Sequence, residues 1–366
     1  MNNPWLRLNY SFFVTIILIL GIWWQSQNYP LYPVLICLFG LFLIALLKRK
    51  KIQTIKLLLL FSVVFSLGYI RYQQQQYHFN DFYKKYSHNS YDLIGTILTI
   101  DTTAHTNFGA HLIVHIKQIK NHHNNEKWTD LNRKLSIYLQ SAQSIYVADL
   151  IMIKNVSFKK PRSQSFSQYL IKENFAASIF LTIHQCKLIN RPSYSFSRWL
   201  ACYKKALINR LKQKLSPPVF KLFATIFLGN PTEKQKINEI KYAFKAWGIM
   251  HYLARSGLHL ILFILLWHLL LRLFPISYKL RQFLLLGIVT IYSLLSWSSI
   301  PFVRALLIFV LYKLGALLHL QTNLLHLLAI ICFITLLINP MQLFFLDFQL
   351  SFGLTASLAF FNVIHD

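Results

Sequence analysis

At 366 residues, 55% hydrophobic and only 13% charged, the chain has too few charges for an ordinary soluble domain, where about a quarter of residues carry one. Its mean hydropathy is +0.42 and the apolar excess falls in runs of membrane-spanning length, which points to an integral membrane protein. The 38 Lys and Arg against 11 Asp and Glu, a formal +27, exceed what cytoplasmic loops need for orientation and leave two ligand classes, anionic lipid or a polyanion such as nucleic acid.

The first apolar run covers residues 11–24. Only Arg7 precedes it and no small-residue cleavage site follows, so it reads as a retained anchor. A second run, 31–47, ends in Lys48-Arg49-Lys50-Lys51, and a third occupies 57–70. The basic cluster belongs in the cytoplasm, which puts the N-terminus inside and the chain after Tyr69 outside. Residues 1–76 are thus an N-terminal membrane region with three apolar runs.

Residues 77–190 change character. Short stretches with alternating apolar positions (Tyr91–Ile100, His111–Ile119, Leu135–Leu139, Ile145–Phe158, Ser178–Ile189) are separated by polar turns and predict β-strands. Five or so strands fit a small barrel or sandwich, with an OB-type barrel as one option. The region is basic but mixed, with 13 Lys and Arg against 7 Asp and Glu. His122 and His123 sit in an Asn-rich turn and read as a solvated loop rather than a metal clip. Cys186 and Cys202 would pair if this side is oxidising, whereas Cys37 and Cys332 lie in apolar runs as packing residues.

Residues 191–246 form a basic segment. Phe196, Trp199, Leu200, Tyr203, Leu207, Leu211 and Leu215 make a helical stripe, and Arg198, Lys204, Lys205, Arg210, Lys212 and Lys214 supply a basic surface. This predicts an interfacial helix that stops at Pro217-Pro218 and lies on lipid or serves as a ramp for a polyanion. The apolar piece Val219–Leu228 is too short to span upright, and residues 232–246 are charged and amphipathic.

The remainder, 247–366, opens on Gly248-Ile-Met-His251-Tyr-Leu-Ala-Arg255-Ser256-Gly257-Leu-His259 and continues into an apolar run. His251, Arg255 and His259 are spaced four apart and share one helical face, with Ser256-Gly257 as a break inside it. Polar groups and a break at membrane depth point by default to a solute path. Further apolar runs at 283–299, 302–320, 323–338 and 343–363 are joined by very short loops. Arg304 lies one turn into its run, and Asp347 is its natural partner or that of Arg255. Gln349 and Ser351 are placed for hydrogen bonds between helices.

Catalysis is disfavoured. His251 and His259 stand two turns apart, about 12 Å, too far to share one metal on a straight helix. No H-E-x-x-H, G-x-S-x-G or Walker P-loop occurs, no paired acids are available, and neither a metal nor a cofactor is expected.

Three motifs carry a resemblance. Gly248–His259 resembles the signature of the ComEC/Rec2 family of competence proteins, approximately G-[IL]-x-H-L-L-A-x-S-G-L-H. Pro301-Phe302-Val303-Arg304-Ala305 is similar to that family's R-A segment, and Phe348-Gln349-Leu350-Ser351-Phe352 to its F-Q-L-S-F segment. Arg255 departs from the pattern, standing where the family usually has an apolar residue. The resemblance implies a polytopic α-helical membrane protein of about eight spans, with a small OB-type β-barrel inserted on the outer side. It implies passage of single-stranded DNA through the bacterial inner membrane during natural transformation, along a path lined or shaped by His251, Arg255, Ser256, Gly257, His259, Arg304, Asp347, Gln349 and Ser351. The partners implied are single-stranded DNA, membrane lipids, a DNA receptor, a cytoplasmic helicase-type motor, and a second copy or second channel fragment. Tyr91, Phe108, Trp128, Tyr138 and Tyr146 are the aromatics that the outer domain offers to a strand. Longer members continue past F-Q-L-S-F and often carry a metallo-β-lactamase-like domain, so no nuclease activity is expected here. The alternatives are a membrane-anchored protein that binds DNA or anionic lipid without a pore, or a reduced or split fragment that needs a partner.

Overall fold

The computed structural model describes residues 10–37, 52–101, 110–122, 127–139, 145–229, 242, 245–248, 257–296, 300–320 and 323–365. The chain divides into two compact units. One comprises Met1–Tyr77, Ser256–Thr290 and Ser298–Asp366, and the other His78–Arg255 with Ile291–Trp297.

The first unit is helical. It contains α1 (Tyr10–Ser26), most of α2 (Ile52–Tyr86), and the later helices α6 (Gly257–Arg272), α7 (Tyr278–Leu295, up to Thr290), α8 (Ile300–Leu317), α9 (Leu324–Ile338) and α10 (Leu346–His365). α1 meets α9 through polar groups: Thr15 Oγ1 donates to Ala329 O at 3.0 Å in a buried bond, and the half-buried Ser11 Oγ lies 2.7 Å from His326 Nδ1. It meets α2 through glycines. A Cβ on Gly68 would stand 2.5 Å from Leu18 O, and one on Gly21 would overlap the Phe65 carbonyl oxygen, so the two backbones touch directly. Farther along α2, Arg71 Nε donates to Leu337 O at 3.0 Å and Gln75 bridges Asn339 Oδ1 (2.9 Å) and the Met341 amide (3.2 Å). The turn between α9 and α10 is thereby pinned to α2. Among the described residues, Ile55–Tyr86 and Tyr278–Leu295 are long and apolar enough to cross a membrane, where the apolar runs predict about eight spans. The other apolar helices of this unit that fall short of that length include α6 with 16 residues and α9 with 15, or roughly 24 Å at 1.5 Å per residue against a core of about 30 Å.

The second unit is built on a six-stranded sheet of β1 (Ser90–Asp101), β2 (Ala110–Asn121), β3 (Thr129–Leu139), β4 (Leu150–Ser157), β5 (Phe175–Leu181) and β6 (Cys186–Asn190). Their order is β5-β3-β2-β1-β4-β6, antiparallel except for the parallel pair β3/β5. Alternation drives it: Leu112, Val114, Ile116, Leu135, Ile137 and Leu139 are fully buried on one face, each contributing about 1.5–3 kcal/mol. Bulges between Ile94 and Gly95 and between Ile97 and Thr99 curve β1.

Among the described residues the sheet does not close, so the expected OB-type barrel is not found. β1 takes one edge of β4 and β6 takes the other, so β5 has no edge of β4 left to pair with and ends the sheet at the far side. The stretch expected as one strand over Ser178–Ile189 is two strands separated by a 3-10 turn at Ile183–Gln185. A helix, α3 (Gln164–Lys172), precedes β5; Ser163 caps it by accepting from the Phe166 amide, and Leu170 and Ile171 bury its inner face.

After the sheet come α4 (Phe196–Lys214) and α5 (Pro217–Phe223), with Pro217 at the first turn of α5 and a wider turn at Ala224–Leu228. Gly229 ends that turn in the left-handed region at φ 69°, which favours glycine. Cys186 and Cys202, expected to pair on an oxidising side, stand as free thiols: Cys186 opens β6 opposite Ile153, and Cys202 lies exposed in the middle of α4. Cys332 is buried and Cys37 exposed, so only the former is a packing residue. Burial pushes the Cys186 thiol up to about 11, so its reactive thiolate is scarce at neutral pH and grows as pH rises toward that value. In a Cys37→Ser background, maleimide at pH 7 should label Cys202 quickly and Cys186 slowly, with the gap narrowing at pH 9. Mass spectrometry showing equal rates at both pH values would contradict this.

Candidate functional site

α6 begins at Gly257, the glycine of the first motif. A Cβ built there would stand 3.1 Å from the Ala305 Cβ, 3.8 Å from Pro301 O and 4.0 Å from Arg304 Nη2. The missing side chain is therefore what lets α6 seat against the Pro301–Ala305 segment on α8. His259 and Leu260, two and three residues further along, are buried.

Arg304 continues the chain of contacts into α10. Its guanidinium carbon lies 5.6 Å from the centre of the Phe352 ring, within cation–π range. Phe352 in turn packs on Phe348 with ring centres 4.4 Å apart. Among the described residues, Arg304 Nε and Nη1 are buried with no hydrogen-bond partner, and so is Ser351 Oγ. Each such orphaned group costs roughly 1–3 kcal/mol, more when charged. One residue from each of the three motif segments, Gly257, Arg304 and Phe352, thus meets at a single place carrying a cation with unspent donors.

The 3.6-residue period sorts the last motif into two faces. Phe348, Ser351 and Phe352 are buried, while Asp347 and Gln349 are exposed. Gln349 Nε2 donates to Leu343 O at 2.9 Å, and Asp347 Oδ1 accepts from the Phe348 amide at 3.0 Å, placing its charge at the start of α10. Among the described residues no ion pair joins Asp347 to Arg304, and Arg255, the other expected partner, lies outside them. His251, Arg255 and Ser256 lie outside the described residues.

The basic helix α4 buries no residue. Its aromatic stripe is exposed and self-stacked: Phe196 on Trp199 at 5.9 Å and Trp199 on Tyr203 at 5.7 Å between ring centres. Lys205, Arg210, Lys212 and Lys214 are exposed beside it, whereas Lys204 is half-buried, which lowers its ammonium pKa. Arg198 does not join that surface. Together with Arg191 it holds Asp149, a fully buried carboxylate that sequence reasoning passed over: Arg191 Nη2 and Nε donate at 3.0 and 3.2 Å, and Arg198 Nη1 stands 3.9 Å away. Both guanidinium groups lie over the Tyr146 ring, at 4.7 and 5.3 Å. Tyr146 is thereby committed to structure, as is Tyr91, which packs edge-on against Tyr86. Phe108 lies outside the described residues. Among the described residues no group of three His, Cys, Asp or Glu stands where it would hold a metal ion.

Residues 232–365 match the family model described as Competence protein, a span that takes in all three motif segments. No curated protein and no solved structure matches the chain.

Proposed function

Because residues 232–365 match the family model described as Competence protein, we propose that this chain is a multi-pass component of the bacterial inner membrane through which single-stranded DNA enters during natural transformation. The observation that carries the reading is Arg304, whose Nε and Nη1 are buried without partners among the described residues at the junction of the three motif segments. A phosphodiester moving past α6 and α8 supplies the missing acceptors, and each contact lasts only until the next phosphate replaces it. Such a site offsets the desolvation of a polyanion while holding no one phosphate permanently. His259 and Ser351 belong to the same wall, and Gly257 sets its width.

In this reading the N-terminus is cytoplasmic and the six-stranded unit faces outward, where it receives the strand from a DNA receptor. A helicase-type motor draws the strand in on the other side, and the chain itself transports rather than cleaves. The test is a transformation assay of Gly257→Leu. With Ala305 Cβ only 3.1 Å from the new Cβ, the wall shifts and uptake should fall below detection at normal accumulation of the protein. Wild-type transformation frequency in that variant would overturn the reading.

A further inference from the structure

Three helices bring cations to one end of the helical unit. α6 meets α8 where Gly257 faces Ala305, and farther along both helices His268 of α6 lies within electrostatic reach of Lys313 of α8. Two such meetings in the same order make the helices parallel, so their C-terminal ends lie together. α7 turns back from that end, and its first turn carries Lys279 and Arg281. Lys313, Arg281 and Arg272, one from each helix, all act on His268 through their charges. Among the described residues of this unit the one acid is Asp347. It starts α10 just over one turn before Phe352, the ring that lies against Arg304. Lys313 stands nine residues past Arg304, about 13 Å along α8 at 1.5 Å per residue. Among the described residues, then, no acid balances the cluster.

Charge that only sets orientation can stay hydrated, as the exposed Lys279 does. Lys313 instead lies inside α8, four residues before its end, and is half-buried, as are His268 and Arg281. Among the described residues Arg281 Nε is buried with no hydrogen-bond partner. Arg281 also stands in the first turn of α7, where the positive end of the helix dipole adds to its own charge. Rings flank the cations: Tyr278 lies 6.0 Å from the Arg281 guanidinium carbon, and Phe309 and Tyr312 each lie 5.7 Å from Lys313 Nζ. Around them Leu269, Leu273, Phe274 and Tyr278 are exposed. Uncompensated cations rimmed by exposed apolar side chains match a ligand with a phosphate at one end and hydrocarbon at the other.

We propose that the ends of α6, α7 and α8 form a binding site for the headgroup of an anionic phospholipid, with Arg281 and Lys313 on the phosphate, Arg272 at the rim and the acyl chains along Leu269, Leu273 and Phe274. The proposal rests on the membrane placement in the uptake reading and not on its DNA path. Basic clefts between spanning helices on the cytoplasmic side suit such headgroups, and the leaflet surface there is itself anionic. Nucleic acid offers the phosphate but no hydrocarbon to cover the leucines. The bound lipid offsets the repulsion among three helix ends, and so stabilises the bundle that carries Gly257 and Arg304 at its other end.

The experiment adds phosphatidylglycerol or phosphatidylcholine of identical acyl chains to the purified full chain in detergent micelles. It reads the melting temperature and the lipid retained in native mass spectrometry. Phosphatidylglycerol should be retained and raise the melting temperature of the wild type, and phosphatidylcholine should do neither. Equal behaviour of the two lipids would overturn the site, whether or not any variant folds. In Arg281→Gln/Lys313→Gln the apparent affinity for phosphatidylglycerol should fall about 25-fold, at about fivefold for each cation, and Arg281→Lys should keep most of it. The control Arg210→Gln/Lys212→Gln removes two cations from α4 and should change nothing. Equal loss in the two double variants would mean that only total charge counts, and the site falls. Displacement of the lipid by oligo(dT) or by inorganic phosphate would assign the cations to another anion, with the same result. The two proposals fail separately. Phosphatidylglycerol selectivity beside a fully transformable Gly257→Leu strain removes the uptake site alone, and its absence beside a Gly257→Leu strain that cannot be transformed removes the lipid site alone.

Discussion

Gly21→Leu should yield no monodisperse protein on size exclusion of the detergent-solubilised chain, and Gly21→Ala should lower its melting temperature. The cause is the direct contact of two backbones. A Cβ at Gly21 would overlap Phe65 O and stand 3.1 and 3.3 Å from Phe65 C and Cα, none of which is a flexible side-chain end that can swing aside. Gly68 meets α1 in the same manner, with Leu18 O at 2.5 Å and Ile22 N at 3.3 Å. Alanine gains about 1 kcal/mol of helix propensity at either site, but overpacking a closed contact costs about 1–3 kcal/mol, so the net effect is destabilising. Leucine forces the helices apart and takes with them the Thr15–Ala329 bond and the packing on α9. Two controls reverse the sign: a Cβ at Gly287 or at Gly353 meets nothing within 4 Å, so alanine there should stabilise by up to about 1 kcal/mol. If all four alanine variants melt alike, the close approach of α1 and α2 is not what holds them.

Neither glycine stood out in the sequence, because a Gly inside an apolar run has no period of its own and its partner lies more than forty positions away. Local patterns were more legible. The alternation marked β1 and β2 to within two residues but only the last five residues of β3, and the stripe from Phe196 to Leu215 marked α4 together with its proline stop. Helix α3 was hidden by its Ser- and Gln-rich face; Ser163 ahead of Leu170 and Ile171 was the available signal. Sheet closure was out of reach because it turns on which strand claims the free edge of β4, a competition between β5 and β6 that no single segment records. At the candidate site, the motifs identified the segments that meet, and the helical period already held the split between Phe348, Ser351 and Phe352 on one side and Gln349 on the other. Polarity alone, without that period, did not separate the buried Ser351 from the exposed Gln349 and Asp347. Arg198 was assigned to a basic surface for a similar reason: its charge was visible, while its acceptor Asp149 lay 49 positions earlier as an unremarkable acid in a turn.

Arg304→Met is the substitution whose effects on stability and on uptake should point in opposite directions. Methionine keeps most of the length, packs on Phe352, and removes two donor nitrogens, Nε and Nη1, that are buried without acceptors among the described residues. A residue retained for packing would lose cation–π attraction on this change and leave the protein less stable. A residue retained for a passing anion gives the reverse: the folded state is relieved of roughly 1–3 kcal/mol of unsatisfied polarity and melts higher, while transformation falls. A charge-assisted bond to phosphate contributes about 1.5–3 kcal/mol, so transformation frequency should drop about ten- to a hundredfold for each one lost. Arg304→Lys separates charge from shape, since an ammonium keeps the cation but neither the planar stack on Phe352 nor the forked donors. Its uptake should lie between wild type and Arg304→Met, and Phe352→Leu, which withdraws the ring but not the cation, should resemble it. Thermal melts of the purified variants read beside transformation frequencies decide the matter: an Arg304→Met protein that melts lower yet transforms normally makes Arg304 a packing residue, and the donors at the junction of α6, α8 and α10 then have no part in moving DNA.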